Sequence, residues 1–252
     1  MSEENEAAGG PEESKADKFK RLAEHRVNNA IAKIGLIGNL SASSYDFNAD
    51  QVEKILSGLK AAVDEAHKAG KPVAVHAHAA EAVRRAILAG ADTVEHGALM
   101  DDAVIDLLVE KHVVYVPNLY LAEYYLANGQ KFHFNEEQLR YTRDFMKPRA
   151  EAFAKAAKKG AKIVFGTDAA AGMPGHTAPE FERRVALGVS PLQAIVQATS
   201  TPAKALGMAD KIGDLKPGMF ADIIAVEGNP LEDIKALGRV AFVMKEGKIY
   251  KQ

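Results

Sequence analysis

The chain has 252 residues, 47% hydrophobic and 26% charged, with 32 Lys and Arg against 34 Asp and Glu, a formal charge of −2 and no cysteine. That is enough to bury a substantial core in one large domain or two small ones. The charge balance gives no electrostatic case for nucleic acid or an anionic membrane, and the missing thiols exclude disulfides, thiolate metal sites and a cysteine nucleophile.

The first 17 residues are rich in Glu, Ala, Gly and Ser, without a large apolar anchor, and are expected to form a disordered tail. Being acidic and polar, they resemble neither a signal peptide nor a basic targeting segment. No apolar run approaches the roughly 20 residues that span a bilayer, and the absence of cysteine fits the cytoplasmic location that is expected. Residues 18–32 carry a weak helical stripe (Leu22, Val27, Ala30, Ile31), and 31–40 read as a strand running into a loop, with Gly35 and Gly38 weakening it. Asn48 or Asp50 can cap a helix over 51–69, with Val52, Ile55, Leu59, Ala62, Val63 and Ala66 on one face and Gly70 closing it.

The stretch 71–97, KPVAVHAHAAEAVRRAILAGADTVEHG, organises the rest. Two short apolar runs, 72–75 and 93–94, deliver His76 and His96 at their C-terminal ends, and a helical segment over 81–88 lies between them. Strand, helix and strand in so short a span predict a βαβ unit with parallel strands. Sites in such architectures gather at the C-terminal ends of the strands. Further on, Asp101 and Asp102 open a helix, 113–116 is a strand ended by Pro117, and 118–131 is an aromatic rim loop or helical lid. A long helical stretch over 136–159 is expected to break near Pro148. It leads to a strand over 162–167 that ends in Asp168. Helices are predicted at 180–187 and 191–199, the second capped by Ser190 with Pro191 at its first position. Strands at 221–226 and 240–244 complete an α/β body with a small β appendage.

Two imidazoles and one carboxylate at three strand ends make a candidate site for zinc or a similar divalent ion: His76, His96 and Asp168. Strand alternation puts His76 and His78 on the same side, so His78 is assigned to a substrate-facing or supporting place unless the strand end turns. The same alternation points Glu95 away from His96. His176 is a candidate substrate contact in the loop after Asp168, and Tyr120 another in the lid. His25, His67, His112 and His133 read as ordinary polar residues. Nucleotide-cradling glycine motifs, a GxSxG elbow and HExxH are all absent from the sequence.

Three stretches resemble the amidohydrolase superfamily, in its imidazolonepropionase-like branch with prolidase-type members: AHKAGKPVAVHAHAAEAVRRAILAGADTVEHG at 66–97, VFGTDAAAG at 164–172, and GVSPLQAIVQATSTPAKALGMADKIGDLKPGMFADIIAVEGNPLEDI at 188–234. The resemblance implies a (β/α)8 TIM-type barrel over 18–210, with 211–252 as the C-terminal part of a composite β-sandwich. His76, His96 and Asp168 would then close its fifth, sixth and eighth strands. It further implies that the histidines bind the second of two metals, while Asp168 binds the first and takes a proton from the attacking water. Lys33 is the residue placed to match the lysine that bridges two metals in this branch. The family's first-strand HxH pair has no counterpart before residue 76, and five strands can be counted where eight close a barrel, so the barrel is expected to be incomplete at its N-terminus.

The expected activity is zinc-assisted hydrolysis of amide-type C–N bonds in a small molecule: an N-acyl amino acid, a dipeptide or a cyclic amide. A truncated, non-catalytic scaffold is the alternative. Open sheet edges favour a homo-oligomer or a complementary chain.

Overall fold

The computed structural model describes residues 14, 49–169 and 173–252. Lys33, the expected tail over 1–17 and the expected strand near 31–37 lie outside those residues. The chain divides into two units, Met1–Lys54 and Ile55–Gln252, and the architecture below belongs to the second.

Helix α1 (Ala49–Lys68) is followed by Gly70, whose φ of 67° is a conformation that glycine adopts freely. Strand β1 (Ala74–Ala79) runs directly into α2 (Ala80–Ala89), which ends on Gly90 in the left-handed region, its N–H returned to the carbonyls of Ala86 and Ile87. Strand β2 (Thr93–Leu99) follows. Helix α3 (Asp102–Glu110) then starts on Asp101, whose carboxylate accepts from the Val104 N–H at 2.8 Å. Strand β3 (Val114–Val116) completes a parallel sheet in the order β1-β2-β3. The strand expected over 162–167 is reduced to one parallel bridge, Tyr115 with Ile163, held by Tyr115 N–H to the Lys162 carbonyl at 2.9 Å and Val164 N–H to the Tyr115 carbonyl at 3.0 Å.

The described residues thus form a parallel arc of three strands and one bridge within a mixed α/β fold. One face of it carries the core. Ala77, Val94, Tyr115 and Ile163 pack with Val83, Ile87, Val104, Ile105 and Leu108 from α2 and α3, and with Ala152, Phe153 and Ala156 from α5 (Glu136–Lys158). On the opposite face Ala74 and His76 are exposed, and Glu95 and Val116 half-buried. These alternate positions line up across the sheet, since the register pairs His76 with Glu95 and Glu95 with Val116.

One expectation for the following segments is corrected. Helix α5 runs through Pro148 without the expected break. It starts on a capping box between Asn135 and Gln138, and Arg149, Ala152, Phe153 and Ala156 are buried just beyond the proline, so tertiary packing outweighs the lost backbone donor. The aromatic stretch after Pro117 contains a short helix, α4 (Leu121–Asn128). Helices α6 (Pro179–Ala186), α7 (Pro191–Ala198) and α8 (Ser200–Ala205) follow, with the Ser190 cap of α7 formed as expected.

The C-terminal strands pair with one another. β4 (Ile223–Val226), β5 (Val240–Lys245) and β6 (Lys248–Lys251) form an antiparallel sheet in that order, β6 being a strand the sequence reading lacked. A 3-10 turn at Ile234–Gly238 buries Ala236 and packs beside α6. Among the described residues no helix is long and apolar enough to cross a membrane.

Candidate metal centre

The C-terminal ends of β1 and β2 bring three imidazoles together. The ring centroids of His76 and His96 are 4.2 Å apart, those of His78 and His96 4.7 Å, and those of His76 and His78 5.0 Å. One nitrogen from each ring lies within 4.8 Å of the others. Regular alternation would not allow this, because the register pairs His96 with Ala77, a core residue on the helix-facing side. Two local departures produce it. The β1–β2 register shifts between Ala77 and Ala79, and His96 takes a φ of 71°, the left-handed region that costs a non-glycine residue free energy.

Gly97 follows with a φ of 51°, and a Cβ there would meet Tyr115 Cε2 at 2.8 Å, so the turn is closed to larger residues. The Tyr115 hydroxyl donates to the His96 carbonyl at 3.1 Å and holds the turn from below. The strand end therefore turns, and the rings of His76, His78 and His96 come together as a group that could hold a metal ion. Glu95 is half-buried, takes a hydrogen bond from the Thr93 hydroxyl at 2.6 Å, and feels the charges of Asp168 and His76. It belongs to the same face as the site, contrary to the expectation that it points elsewhere. Burial and, more weakly, the nearby Asp168 raise its carboxyl above the usual range.

Asp168 ends the fourth segment of the arc with a φ of 50°. It is not one of the three closely grouped donors, but its Oδ2 is 3.4 Å from Asn118 Nδ2, and Asn118 in turn contacts His96 Nδ1. The structure thus brings His76, His78, His96 and Asp168 to one rim. His176 and Tyr120 lie in a neighbouring aromatic cluster. His176 stacks on Tyr124 at 6.1 Å between centroids, Tyr120 is 6.2 Å from Tyr124, and Met173 and Ala169 pack in the same cluster as Tyr120 and Tyr124. His67 pairs with Asp92 at 2.8 Å, away from this rim.

Four residues at the site have no counterpart in the sequence reading. Asn118 is 3% exposed, and Arg149, reaching in from α5 one turn after Phe145, is 7% exposed. Phe145 packs edge-on against His78 at 5.4 Å. Glu180 accepts from the Tyr120 N–H at 2.8 Å. The available signal was position: Asn118 stands immediately beyond a strand end, where the same rule had selected the histidines.

The electrostatics favour neutral rings. Burial, then His96, His76 and Arg149, pull the His78 pKa down to about 4. Burial likewise lowers His96, against the opposing hydrogen bond with Asn118. An unfolded histidine binds its proton near pH 6.5, so between pH 6.5 and 4 the unfolded chain holds more protons than the folded one. The expected result is that the metal-free protein loses stability as pH falls from 6.5 to about 4. Urea midpoints in the presence of a chelator measure this, and His78→Gln should flatten the profile.

The donor set fits a metal ion. His78 Nδ1 is buried without a hydrogen-bond partner, a state that is costly unless another group supplies the contact. Three imidazoles suit zinc, and three protein ligands with an open fourth position characterise catalytic rather than structural zinc. A groove of about 850 Å³ lies elsewhere, between Lys158, Lys162, Leu187, Val189 and Val196, at the start of the segment whose other end is Asp168.

The parallel α/β arc brings three imidazoles that could hold a metal ion to the strand-end rim, where sites of such folds gather. Residues 13–250 match the amidohydrolase family, and the chain belongs to it. It is 31% identical over 240 residues to ochratoxinase of Aspergillus niger, covering 93% of this chain and 49% of that protein. A solved Xaa-Pro dipeptidase with bound methionine in its active site is 40% identical, with a TM-score of 0.72 over 78% of this chain and 49% of its own. A prolidase solved with N-methylphosphonate-L-proline is 30% identical, with a TM-score of 0.74 over 78% and 49%. The chain spans about half the length of these relatives.

Proposed function

We propose that this chain carries the metal-binding portion of a hydrolase of amide-type C–N bonds, with its parallel arc forming part of a (β/α)8 barrel. The observation that carries this reading is the convergence of His76, His78 and His96 within 4.8 Å beside Asp168. A divalent ion, zinc by its donor set, would be held by the three imidazoles and would polarise a carbonyl and lower the pKa of water from about 16 towards 7. Asp168 receives the proton released as water adds to the carbonyl carbon and returns it to the leaving nitrogen. Its exposed carboxylate, tethered through Asn118, can perform both transfers. Glu95 lies close enough to Asp168 for the aspartate to disfavour the charge of Glu95.

N-acyl amino acids, dipeptides and cyclic amides are the proposed substrates, supported by similarity to an ochratoxinase, an Xaa-Pro dipeptidase and a prolidase. His176 and Tyr120, from the aromatic cluster beside Asp168, are the proposed substrate contacts. Assay of zinc-loaded protein against a panel of N-acyl amino acids and Xaa-Pro dipeptides tests the proposal. Hydrolysis that disappears in Asp168→Asn is expected, and an inert protein that also retains no zinc would leave a scaffold.

That second reading draws on one feature. Among the described residues β1 pairs with a strand on one side only, an edge on which a second copy or a complementary chain can dock.

A further inference from the structure

We propose that Arg149 receives a carboxylate of the substrate at the inner end of a stripe formed by Tyr141, Phe145 and Arg149. This rests on the hydrolase reading above and narrows its substrate class. The three residues stand four apart on α5 and so share one face of the helix. The rings of Tyr141 and Phe145 lie 4.3 Å apart between centroids, and Phe145 packs edge-on against His78 at 5.4 Å. Exposure falls along the stripe, from Tyr141 at 56% through half-buried Phe145 to Arg149 at 7%. The face therefore leads from solvent, past an imidazole of the triad, to a cation. The charge of Arg149 is felt at His78 and His96, and Arg149 in turn feels that of Asp168.

The cation is short of partners. Arginine has five N–H donors, and here Nη1 donates to the Asn118 carbonyl at 3.1 Å. Nε is buried without a hydrogen-bond partner, and among the described residues Arg149 has no ion pair and no second hydrogen bond. Nε–H and one Nη2–H point the same way along one edge of the planar group, the fork that takes two carboxylate oxygens. That edge has no protein partner among the described residues, while Nη1 is anchored at the rim. A buried cation without an anion costs free energy, and holding one carbonyl does not need a charge. A carboxylate supplies the missing partner. In an N-acyl amino acid or a dipeptide it lies two bonds from the scissile nitrogen, so the fork sets the amide bond beside the imidazoles. The side chain on the intervening carbon then lies along Phe145 and Tyr141. Cyclic amides without a carboxylate gain nothing from this arrangement.

Two measurements on the full chain test this. The first is acetate release by zinc-loaded protein from N-acetyl-L-phenylalanine and from its neutral carboxamide. The wild type is expected to favour the acid in kcat/KM by about 10–100-fold, the range for a hydrogen bond between charged groups. Arg149→Met should bring that ratio near one, mainly by raising KM for the acid, and Arg149→Lys should recover part of it. A general packing defect would slow both substrates alike and leave the ratio standing. The second measurement follows the Arg149 Nε–H resonance in metal-free protein, where no ion competes for the carboxylate. Titration with 3-phenylpropanoate should shift it, and 3-phenylpropanamide should not. A resonance unmoved by the acid overturns the inference, as does hydrolysis of acid and carboxamide with equal efficiency, and neither result touches the hydrolase reading. If neither substrate is cleaved, that reading falls, and the resonance still decides whether Arg149 takes a carboxylate. If Arg149→Met does not fold, an unmoved wild-type resonance is by itself enough to overturn the inference.

Discussion

Replacing His96 by alanine is expected to weaken zinc binding by more than about 100-fold, roughly 2.7 kcal/mol, which is beyond the loss from removing a merely supporting group. The reason lies in the geometry. His96 is the ring closest to both of the others, 4.2 Å from His76 and 4.7 Å from His78, and it is the one whose orientation the protein has constrained most heavily. Its backbone is held in the left-handed region, its carbonyl is tied by Tyr115 and its Nδ1 lies against Asn118. Without it two rings from one strand remain, and a pair of imidazoles binds far more weakly than a triad. His76→Ala is expected to do the same. His78→Ala separates two arrangements. A loss matching the other two makes His78 a third ligand, as the unpartnered Nδ1 argues, while a loss below about threefold returns it to the supporting place that strand alternation had given it. Chelator competition at neutral pH reads all three, and zinc bound equally by all three variants would move the metal away from these histidines.

Much of this site could be read in the sequence because strand ends are chemically marked. A short apolar run that stops at a histidine or an aspartate shows where the sheet meets solvent, and His76, His96 and Asp168 were found that way. What the sequence concealed is the turning of the strand end. A period of two predicts sides for as long as the strand is regular, and His96 leaves the regular conformation at the residue that matters, with a φ of 71°. That departure brings His96 onto the face that already carries His76, His78 and Glu95. Asn118 was missed because Pro117 and the aromatic residues after it read as the start of a lid. Glu180 and Arg184 were missed for another reason. Opposite charges four apart on a short helix ordinarily mark a solvated face, and only the tertiary fold shows that both are fully buried. The helices were legible from their caps, Asp101, Gly90 and Ser190, whereas Pro148 gave a false stop because the packing of Arg149 and Phe153 holds the helix together across it.

The burial of Glu180 and Arg184 leads to the largest stability effect expected for this chain. Both side chains are fully buried, joined by Arg184 Nε to Glu180 Oε1 at 3.0 Å. The guanidinium also donates to Gln197 Oε1 at 2.9 Å and to the carbonyls of Pro117 and Val164, both at 3.1 Å, and it lies over the Phe165 ring at 4.9 Å. Arg184→Ala strips the partner from a buried carboxylate and from three other acceptors at once, a change that costs about 3–5 kcal/mol. For a chain of this size each kcal/mol lowers the melting midpoint by about 2–4 °C, so a drop on the order of 10 °C is expected. Burial already pushes the Glu180 carboxyl up to about 7 against the pull of Arg184, and removing the cation raises it further. A folded pKa above the unfolded one, near 4.5, means that the folded variant holds the extra proton. Its stability therefore rises as pH falls from 8 to 5, and its deficit against the wild type narrows. The double variant Glu180→Gln/Arg184→Met, with no charge left to strand, should recover most of the lost stability, because a buried pair removed together costs far less than one broken in half. Urea midpoints for the three proteins at pH 5 and pH 8 measure both effects. If Arg184→Ala proves as stable as the wild type at pH 8, the pair is open to water in solution, and the grip it exerts on Pro117 and Val164 is too weak to hold Asn118 and Asp168 in place.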